Sequence, residues 1–518
     1  MEWRHIEAAR EYLASESGAA GDLVARDWGG RLPLVLAYPN TYAVGMSSLA
    51  VHALYGWLND RPGVVCERAF WSLEKRPSTE DPVLTIESQR PVADAAVVAF
   101  SISFEMDYFN VVDMLRRAGI PVAAAERDET HPLIVMGGPA VSANPLPMAA
   151  LADAIIIGEV EPILEELVGA LGGIWDQERD ETLQAMSRIP GVYVPSLHQD
   201  QDVHRQWLGD LDAFPVASTI VAPRAVFGDM HLIEISRGCA RACRFCLAGC
   251  LYLPRRERSL ESVLEQARQG LRQRAGHGAK IGLVASAVSD YIRIDDLVVA
   301  LRAMGAEISV SSLRVRPLSE VLVQALAESG ARSLTLAPEA GSERLRRMIR
   351  KGVTQDDILA AAGMAERYRF ESLKLYFMWG LPQESDDDIV AIADLAAQVR
   401  EVYTRQIVVN LTPFVPKAHT PFQHEAMATV PELDRRLRLL RDRLGRSRIQ
   451  LRAEPVAEAR IQALLARGDR RVSDALVAVE RLSLRRFERE LVRQGVDPQE
   501  LLAARDSDGP LPWGFIKP

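Results

Sequence analysis

His231-Leu232-Ile233-Glu234-Ile235-Ser236-Arg237-Gly238-Cys239-Ala240-Arg241-Ala242-Cys243-Arg244-Phe245-Cys246 decides how the rest of the chain is read. An apolar run ends in a Ser-Arg-Gly turn and passes directly into three cysteines spaced Cys-x3-Cys-x2-Cys. Three thiolates on one short loop can hold three irons of a 4Fe–4S cube and leave the fourth iron open to a ligand. Cys250 keeps other readings alive: four thiolates closing the cube, as in an electron carrier or redox sensor, or four thiolates on zinc. Four of the five cysteines crowd into this segment, which suits metal ligation in a reducing compartment better than a disulfide framework. Cys66 stands alone and reads as a small core hydrophobe.

Working outward, apolar runs at 281–285, 308–310, 333–337, 373–378 and 407–411 alternate with helical stretches such as 260–274 and 342–349. With the strand before the cysteines they make six strand–helix units, a partial (β/α)6 TIM-like barrel. Reactive groups in such barrels gather where the strands end. Those ends carry Ser286 and Ser289-Asp290, Ser311-Ser312-Leu313-Arg314, Pro338-Glu339-Ala340-Gly341-Ser342 and Trp379-Gly380-Leu381-Pro382, with Asn410, Thr412 and Lys417 at the sixth. Upstream, the runs 34–37, 97–100, 133–136 and 154–157 predict a doubly wound parallel sheet. Its strand-end loops are Tyr38-Pro39-Asn40-Thr41-Tyr42, Ser101-Ile102-Ser103-Phe104-Glu105, Gly137-Gly138-Pro139 and Gly158-Glu159, where such sheets bind ligands.

The expected organisation of this α/β chain is a helical lead-in over 1–30, a Rossmann-like domain over 31–170 and a strand-bearing linker over 171–228. A barrel over 229–425 and a helical region over 426–518 complete it, with no strand expected after Phe422. Arg435, Arg436, Arg438, Arg441, Arg443, Arg446 and Arg448 interleave with leucines and read mostly as a solvated helix face, with an RNA- or phosphate-binding patch as the alternative. Hydrophobic content of 48% and charged content of 25% describe a globular chain. A net charge of −9 argues against gripping nucleic acid by bulk charge. The charged N-terminus lacks the apolar core of a signal peptide, and no run reaches the ~18 residues that cross a bilayer. A cytoplasmic location without a membrane partner is expected.

The stretch 236–246, with Phe245 before its last cysteine, resembles the cluster loop of the radical S-adenosylmethionine (SAM) superfamily, and the likeness runs through Pro338–Ser342 and Lys374–Pro382 to about Pro421. The resemblance implies that Cys239, Cys243 and Cys246 hold a 4Fe–4S cluster and that SAM chelates the open iron. Reductive cleavage would then give a 5′-deoxyadenosyl radical. Ser312, Arg314 and Glu339 are the implied SAM contacts, with Gly380 and Leu381 near the adenine. An electron donor such as flavodoxin or ferredoxin is implied as a partner. Residues ~32–170 resemble, more loosely, the N-terminal domain of cobalamin-dependent members, which makes Asn40, Thr41, Tyr42, Gly45, Gly137, Gly138 and Gly158 candidate cobalamin contacts. The usual Asp-x-His-x-x-Gly loop is absent; Asn40-Thr41-Tyr42-Ala43-Val44-Gly45 stands in its place. The expected chemistry is methylation or alkylation of a substrate the sequence does not identify, a small molecule or a tRNA. A tRNA-modifying radical SAM enzyme without cobalamin and a four-cysteine electron carrier are the rivals.

Overall fold

The computed structural model describes residues 3–17, 27–74, 77–175, 178–198, 201–445, 447–479 and 483–518. The first domain is a six-stranded sheet of β1 (Leu32–Thr41), β2 (Val64–Ser72), β3 (Val97–Ser101), β4 (Leu133–Gly137), β5 (Ala154–Ile156) and β6 (Val192–Tyr193). The order is β2-β1-β3-β4-β5-β6, parallel except for β6. The first five strands thus follow the flavodoxin-type order, whose switch point lies between β1 and β3. Val35, Ala37, Val97, Leu133 and Ile134 are completely buried because helices cover both faces. Each such valine, leucine or isoleucine side chain contributes about 1.5–3 kcal/mol on burial.

β2 is absent from the sequence expectation because Glu67 and Arg68 interrupt its apolar run. Both are nevertheless buried. Arg68 pairs with Glu16 and Glu87 at 2.7 Å each, and Glu67 accepts from the Trp28 indole at 2.8 Å. Cys66 lies in this core, 2% exposed. Of the expected lead-in, Trp3–Ala14 is helical; residues 18–26 lie outside the described ones.

The second domain places β7 (His231–Glu234), β8 (Lys280–Val284) and β9 (Glu307–Val310) in one parallel sheet. A second parallel sheet holds β10 (Ser333–Glu339), β11 (Ser372–Trp379), β12 (Gln406–Pro413) and β13 (Gln450–Ala453). Polar caps start the intervening helices. Ser259, Ser319 and Ser342 accept the backbone N–H three residues on, and Thr354 forms a capping box with Asp357. The partial barrel therefore has a seventh strand. β13 corrects the expectation that strands stop at Phe422: its Gln-Leu-Arg-Ala sequence carries no apolar run, and pairing with β12 makes it a strand.

Beyond it the chain is mostly helical, ends in a second strand not expected from the sequence, Ile516–Lys517 parallel to Val203–His204, and packs on the first domain. Asn144 Nδ2 donates to the carbonyls of Ala466 and Gly468, and Ala150 N–H donates to Ser473. The 171–228 stretch also joins the two domains: Gly158 bridges Gln206 and Ala217 bridges Ile233. Among the described residues no helix is long and apolar enough to cross a membrane.

Candidate functional site

The cysteine loop is framed at its base by an antiparallel ribbon, Ser236–Arg237 against Arg256–Glu257. Gly238 turns the chain out of the ribbon at φ +84°, where a Cβ would lie 2.2 Å from the Tyr252 carbonyl oxygen. Contacts then tie the loop to several barrel strand ends. Arg241 pairs with Asp290 at 2.6 Å after β8. Arg244 N–H donates to the Ile349 carbonyl, and its guanidinium lies over the Phe422 ring. Phe245 packs into an apolar cluster of Ala340, Leu345, Ile349, Leu381, Phe414 and Phe422. Cys250 lies on the short helix Ala248–Leu251 that follows.

Burial raises the thiol pKa of Cys243, Cys246 and Cys250. Opposing groups surround the first two. Lys351 and Arg314 favour the Cys243 thiolate, and the Gly249 and Ala248 N–H groups favour that of Cys246. Cys239 and Cys243 act electrostatically on Cys246, whereas Cys246 is the one cysteine acting on Cys250. Cations and N–H donors aimed at sulfur are what thiolate ligation needs, so this donor set fits an iron–sulfur cluster on the three cysteines. Among the described residues no three His, Cys, Asp or Glu side chains group around a single metal ion. The thiolates of a cube bind separate irons and need no such gathering.

Arg314 and Glu339 come together beside Cys243 through Lys351. Lys351 Nζ pairs with Glu339 at 2.9 Å, and the Lys351 carbonyl accepts from Arg314 Nη2 at 3.2 Å. Glu339 has a left-handed backbone at φ +69°. Ser312 donates to the Ala285 carbonyl at 2.9 Å, joining the ends of β9 and β8. Gly380, at φ +78°, donates its N–H to Glu384 at 2.7 Å, and Leu381 packs in the Phe245 cluster. Burial pushes Glu384 up to about 7, against the pull of Gly380 N–H and of Arg436 at 2.9 Å. Arg436 is therefore buried and not on the solvated face expected for it. Arg435, Arg438, Arg441, Arg443 and Arg448 are exposed, and Arg446 lies outside the described residues. Lys351 escaped the sequence reading because it follows Glu339 across a whole helix. Its one signal is rarity: the chain has six lysines against 55 arginines.

The first-domain candidates divide. Gly137, Gly138 and Gly158 line a cavity of about 440 Å³, walled also by Trp57, Leu164, Tyr252, Val284 and Ser286. The cavity thus spans the strand ends of the first domain, the ribbon residues Ser236 and Arg237 at the base of the cluster loop, Leu251 and Tyr252 after it, and the end of β8. Asn40, Thr41, Tyr42 and Gly45 are not among its walls. Asn40 donates to Asp107 and accepts from the Thr41 N–H, both at 2.8 Å. Tyr42 is fully buried with its hydroxyl on Glu16, and a Cβ on Gly45 would strike the Phe70 ring. At the switch point, burial and the neighbouring Glu105 push Asp107 up to about 7, with Asn40 opposing. Glu105 itself is paired with Lys417 and accepts from Gln462 at 3.0 Å.

At the end of β5, Glu159 binds both strands of the cysteine ribbon. Arg256 reaches its two oxygens at 2.7 and 2.9 Å, and Arg237 lies at 2.9 Å. One buried carboxylate of the first domain therefore holds the frame of the cysteine loop in the second.

Residues 50–195 match the family described as radical SAM proteins, N-terminal, and residues 233–396 match the radical SAM superfamily. The uncharacterized protein MJ0966 of Methanocaldococcus jannaschii is 31% identical over 448 residues, covering 86% of this chain and 90% of that one. The uncharacterized methyltransferase PH0819 of Pyrococcus horikoshii is 25% identical over 279 residues, 51% of this chain and 58% of its own. Two solved structures share the fold. One is the radical SAM methyltransferase TsrM of Kitasatospora setae with cobalamin and a 4Fe-4S cluster bound (TM-score 0.51, 16% identity, 76% and 77% covered). The other is the cobalamin-dependent SAM radical enzyme OxsB with aqua-cobalamin bound (TM-score 0.52, 14% identity, 73% and 53% covered). The chain therefore belongs to the radical SAM superfamily, as an enzyme whose first domain has the cobalamin-type fold.

Proposed function

We propose that the protein is a cobalamin-dependent radical SAM enzyme that methylates or alkylates a small molecule. The observation that carries this reading is the cavity shared by the strand ends of the first domain and, in the second, by Ser236–Arg237 at the base of the cysteine loop and Leu251–Tyr252 after it. When bound, the cluster with SAM would supply one-electron cleavage of SAM, and cobalamin a methyl carrier. Cys239, Cys243 and Cys246 hold the cluster, and Cys250 stays free. Ser312, Arg314 and Glu339 contact SAM, with Gly380 and Leu381 beside its adenine. Gly137, Gly138 and Gly158 border cobalamin, while Asn40, Thr41, Tyr42 and Gly45 brace that site through Asp107 and Glu16. A cobalamin domain over 31–170, with β6 closing its sheet, and a cluster and SAM domain over 229–425, with β13 closing its sheet, belong to the same proposal, as do a cytoplasmic location and a flavodoxin or ferredoxin donor. A small substrate is favoured over tRNA by the net charge of −9 and by the pairing of Arg435 with Asp386.

Anaerobic reconstitution with iron and sulfide, then dithionite and SAM, tests the reading. SAM cleavage products are expected, with Cys250→Ala retaining the cluster absorbance and any one of the other three alanine variants losing it. Absence of cleavage in a fully loaded enzyme, or loss of the cluster in Cys250→Ala, would refute it. Cobalamin is read separately, from the visible spectrum of protein purified with it; a colourless protein removes that half.

A further inference from the structure

The sheet β10–β13 has two unlike faces. Leu373, Leu375, Phe377, Ile407, Val409 and Leu411 are buried against helices. The alternate residues face the barrel lumen. There Tyr376 is in register with Asn410, and Asn410 with Arg452, making a row across three strands. Lys374 shares that face two residues before Tyr376.

This row is polar and unsatisfied. Asn410 Nδ2 is buried without a hydrogen-bond partner. Four lysines among the described residues pair with carboxylates: Lys280 with Asp229, Lys351 with Glu339, Lys417 with Glu105 and Lys517 with Asp202. Lys374 is the remaining described lysine, and no carboxylate among the described residues pairs with it or with Arg452. Among the described residues the one side-chain hydrogen bond of Arg452 is a long contact with Gln450 at 3.5 Å. A buried amide left without a partner costs free energy that a ligand would recover. The arginine bias adds weight, because lysine is used here in only six places. An ammonium group is a compact point charge suited to an anion, and a neighbouring guanidinium can bind the same group bidentately.

We propose that Lys374, Tyr376, Asn410 and Arg452 form a lumen subsite for a carboxylate or phosphate group of the substrate. This deepens the proposed function and rests on it for the identity of the bound molecule as substrate. Lys374 and Arg452 supply the charge, the Asn410 amide an N–H and Tyr376 a hydroxyl. Glu339, on the same sheet, leaves the subsite cationic because Lys351 neutralises it.

Pyridoxal 5′-phosphate tests the subsite on the full-length, cluster-loaded protein. Its aldehyde condenses with an amine to an imine with loss of water. Added borohydride supplies hydride, and a proton from water completes a stable secondary amine that peptide mass spectrometry locates among the six lysines. Lys374 is expected to be labelled at least about tenfold faster than by pyridoxal, which lacks the phosphate. That preference should vanish in Arg452→Gln and Arg452→Glu, both changes on an exposed side chain, and inorganic phosphate should protect. Equal labelling by the two probes, or a preference that survives both variants, overturns the subsite. Protection by SAM and not by phosphate would assign the anion to the SAM carboxylate and overturn the substrate assignment. SAM cleavage is measured in parallel. Its failure with phosphate-selective labelling intact removes the proposed function alone, and the converse removes the subsite alone.

Discussion

Replacing Glu159 by Gln should loosen the cysteine ribbon without unfolding the protein. The change keeps the side-chain volume and removes the charge that holds Arg237 and Arg256. The Glu159, Arg256 and Arg237 side chains are 4%, 8% and 12% exposed, so water cannot take over as counterion. Arg237 retains Glu161 at 2.8 Å and Glu234 at 3.0 Å. Arg256 has no second carboxylate among the described residues and keeps the carbonyls of Leu208, Tyr252 and Pro254, with its guanidinium over the Trp207 ring. Breaking a buried pair from one side costs about 3–5 kcal/mol, and the retained carbonyls place this case near about 3 kcal/mol. In a chain of several units that loss appears as local opening. At about 1.4 kcal/mol per factor of ten it corresponds to roughly a hundredfold in the opening constant.

Hydrogen exchange of amides 236–257, followed by mass spectrometry, is the assay, with retained iron as a second readout. Protection should fall about a hundredfold there and stay unchanged in β3 and β4. Unchanged protection in the ribbon, or an equal fall across the whole chain, would refute the clamp. The wild type carries its own control. Burial would raise the Glu159 pKa, but Arg256, Arg237 and the Leu208 N–H outweigh it and hold the carboxyl below its usual range. A depressed folded pKa gives stability that is present above the unfolded value near about 4.3 and is lost as pH falls through the folded one. Ribbon protection in the wild type should therefore fail only in acid, and the variant should lack that acid transition.

Asp107 behaves in the opposite sense. Its pKa of about 7 lies above the unfolded value, so its contribution is full in acid and lost as pH rises from about 4 to about 7, by at most about 4 kcal/mol. Asp107→Asn should flatten the wild-type decline in melting temperature between pH 5 and 8; an unchanged decline would place the titrating group elsewhere. Gly138→Ala should destabilise the first domain by at least about 2 kcal/mol in a urea melt, because at φ +109° the new Cβ lies 2.4 Å from the Ile102 carbonyl oxygen. A melt equal to the wild type would mean that the β4 loop relaxes freely.

Strands with apolar patterns were legible one by one: β1 and β3 to β5 in the first sheet, and β7 to β12 in the barrel. Burial on both faces of the first sheet, and on the helix-packed face of the barrel strands, demands such patterns, and they are local in sequence. β2 was illegible because the partners that make Arg68 tolerable, Glu16 and Glu87, lie 52 and 19 residues away. β13 was illegible because only its neighbour β12 makes Gln-Leu-Arg-Ala a strand. Arg436 misled for the same reason: the helix pattern shows a polar face but not the buried Glu384 waiting 52 residues earlier.

For the site, the sequence by itself determined the three-cysteine set, because its spacing is covalent and lies within eight residues. It also placed those cysteines after a strand. The tertiary structure alone decided what surrounds them. Lys351 beside Cys243, Glu159 across both ribbon strands, and the Tyr376–Asn410–Arg452 row each join residues far apart in the chain. Electrostatic and packing partners act through space over a few ångströms, and a sequence orders residues along the chain alone.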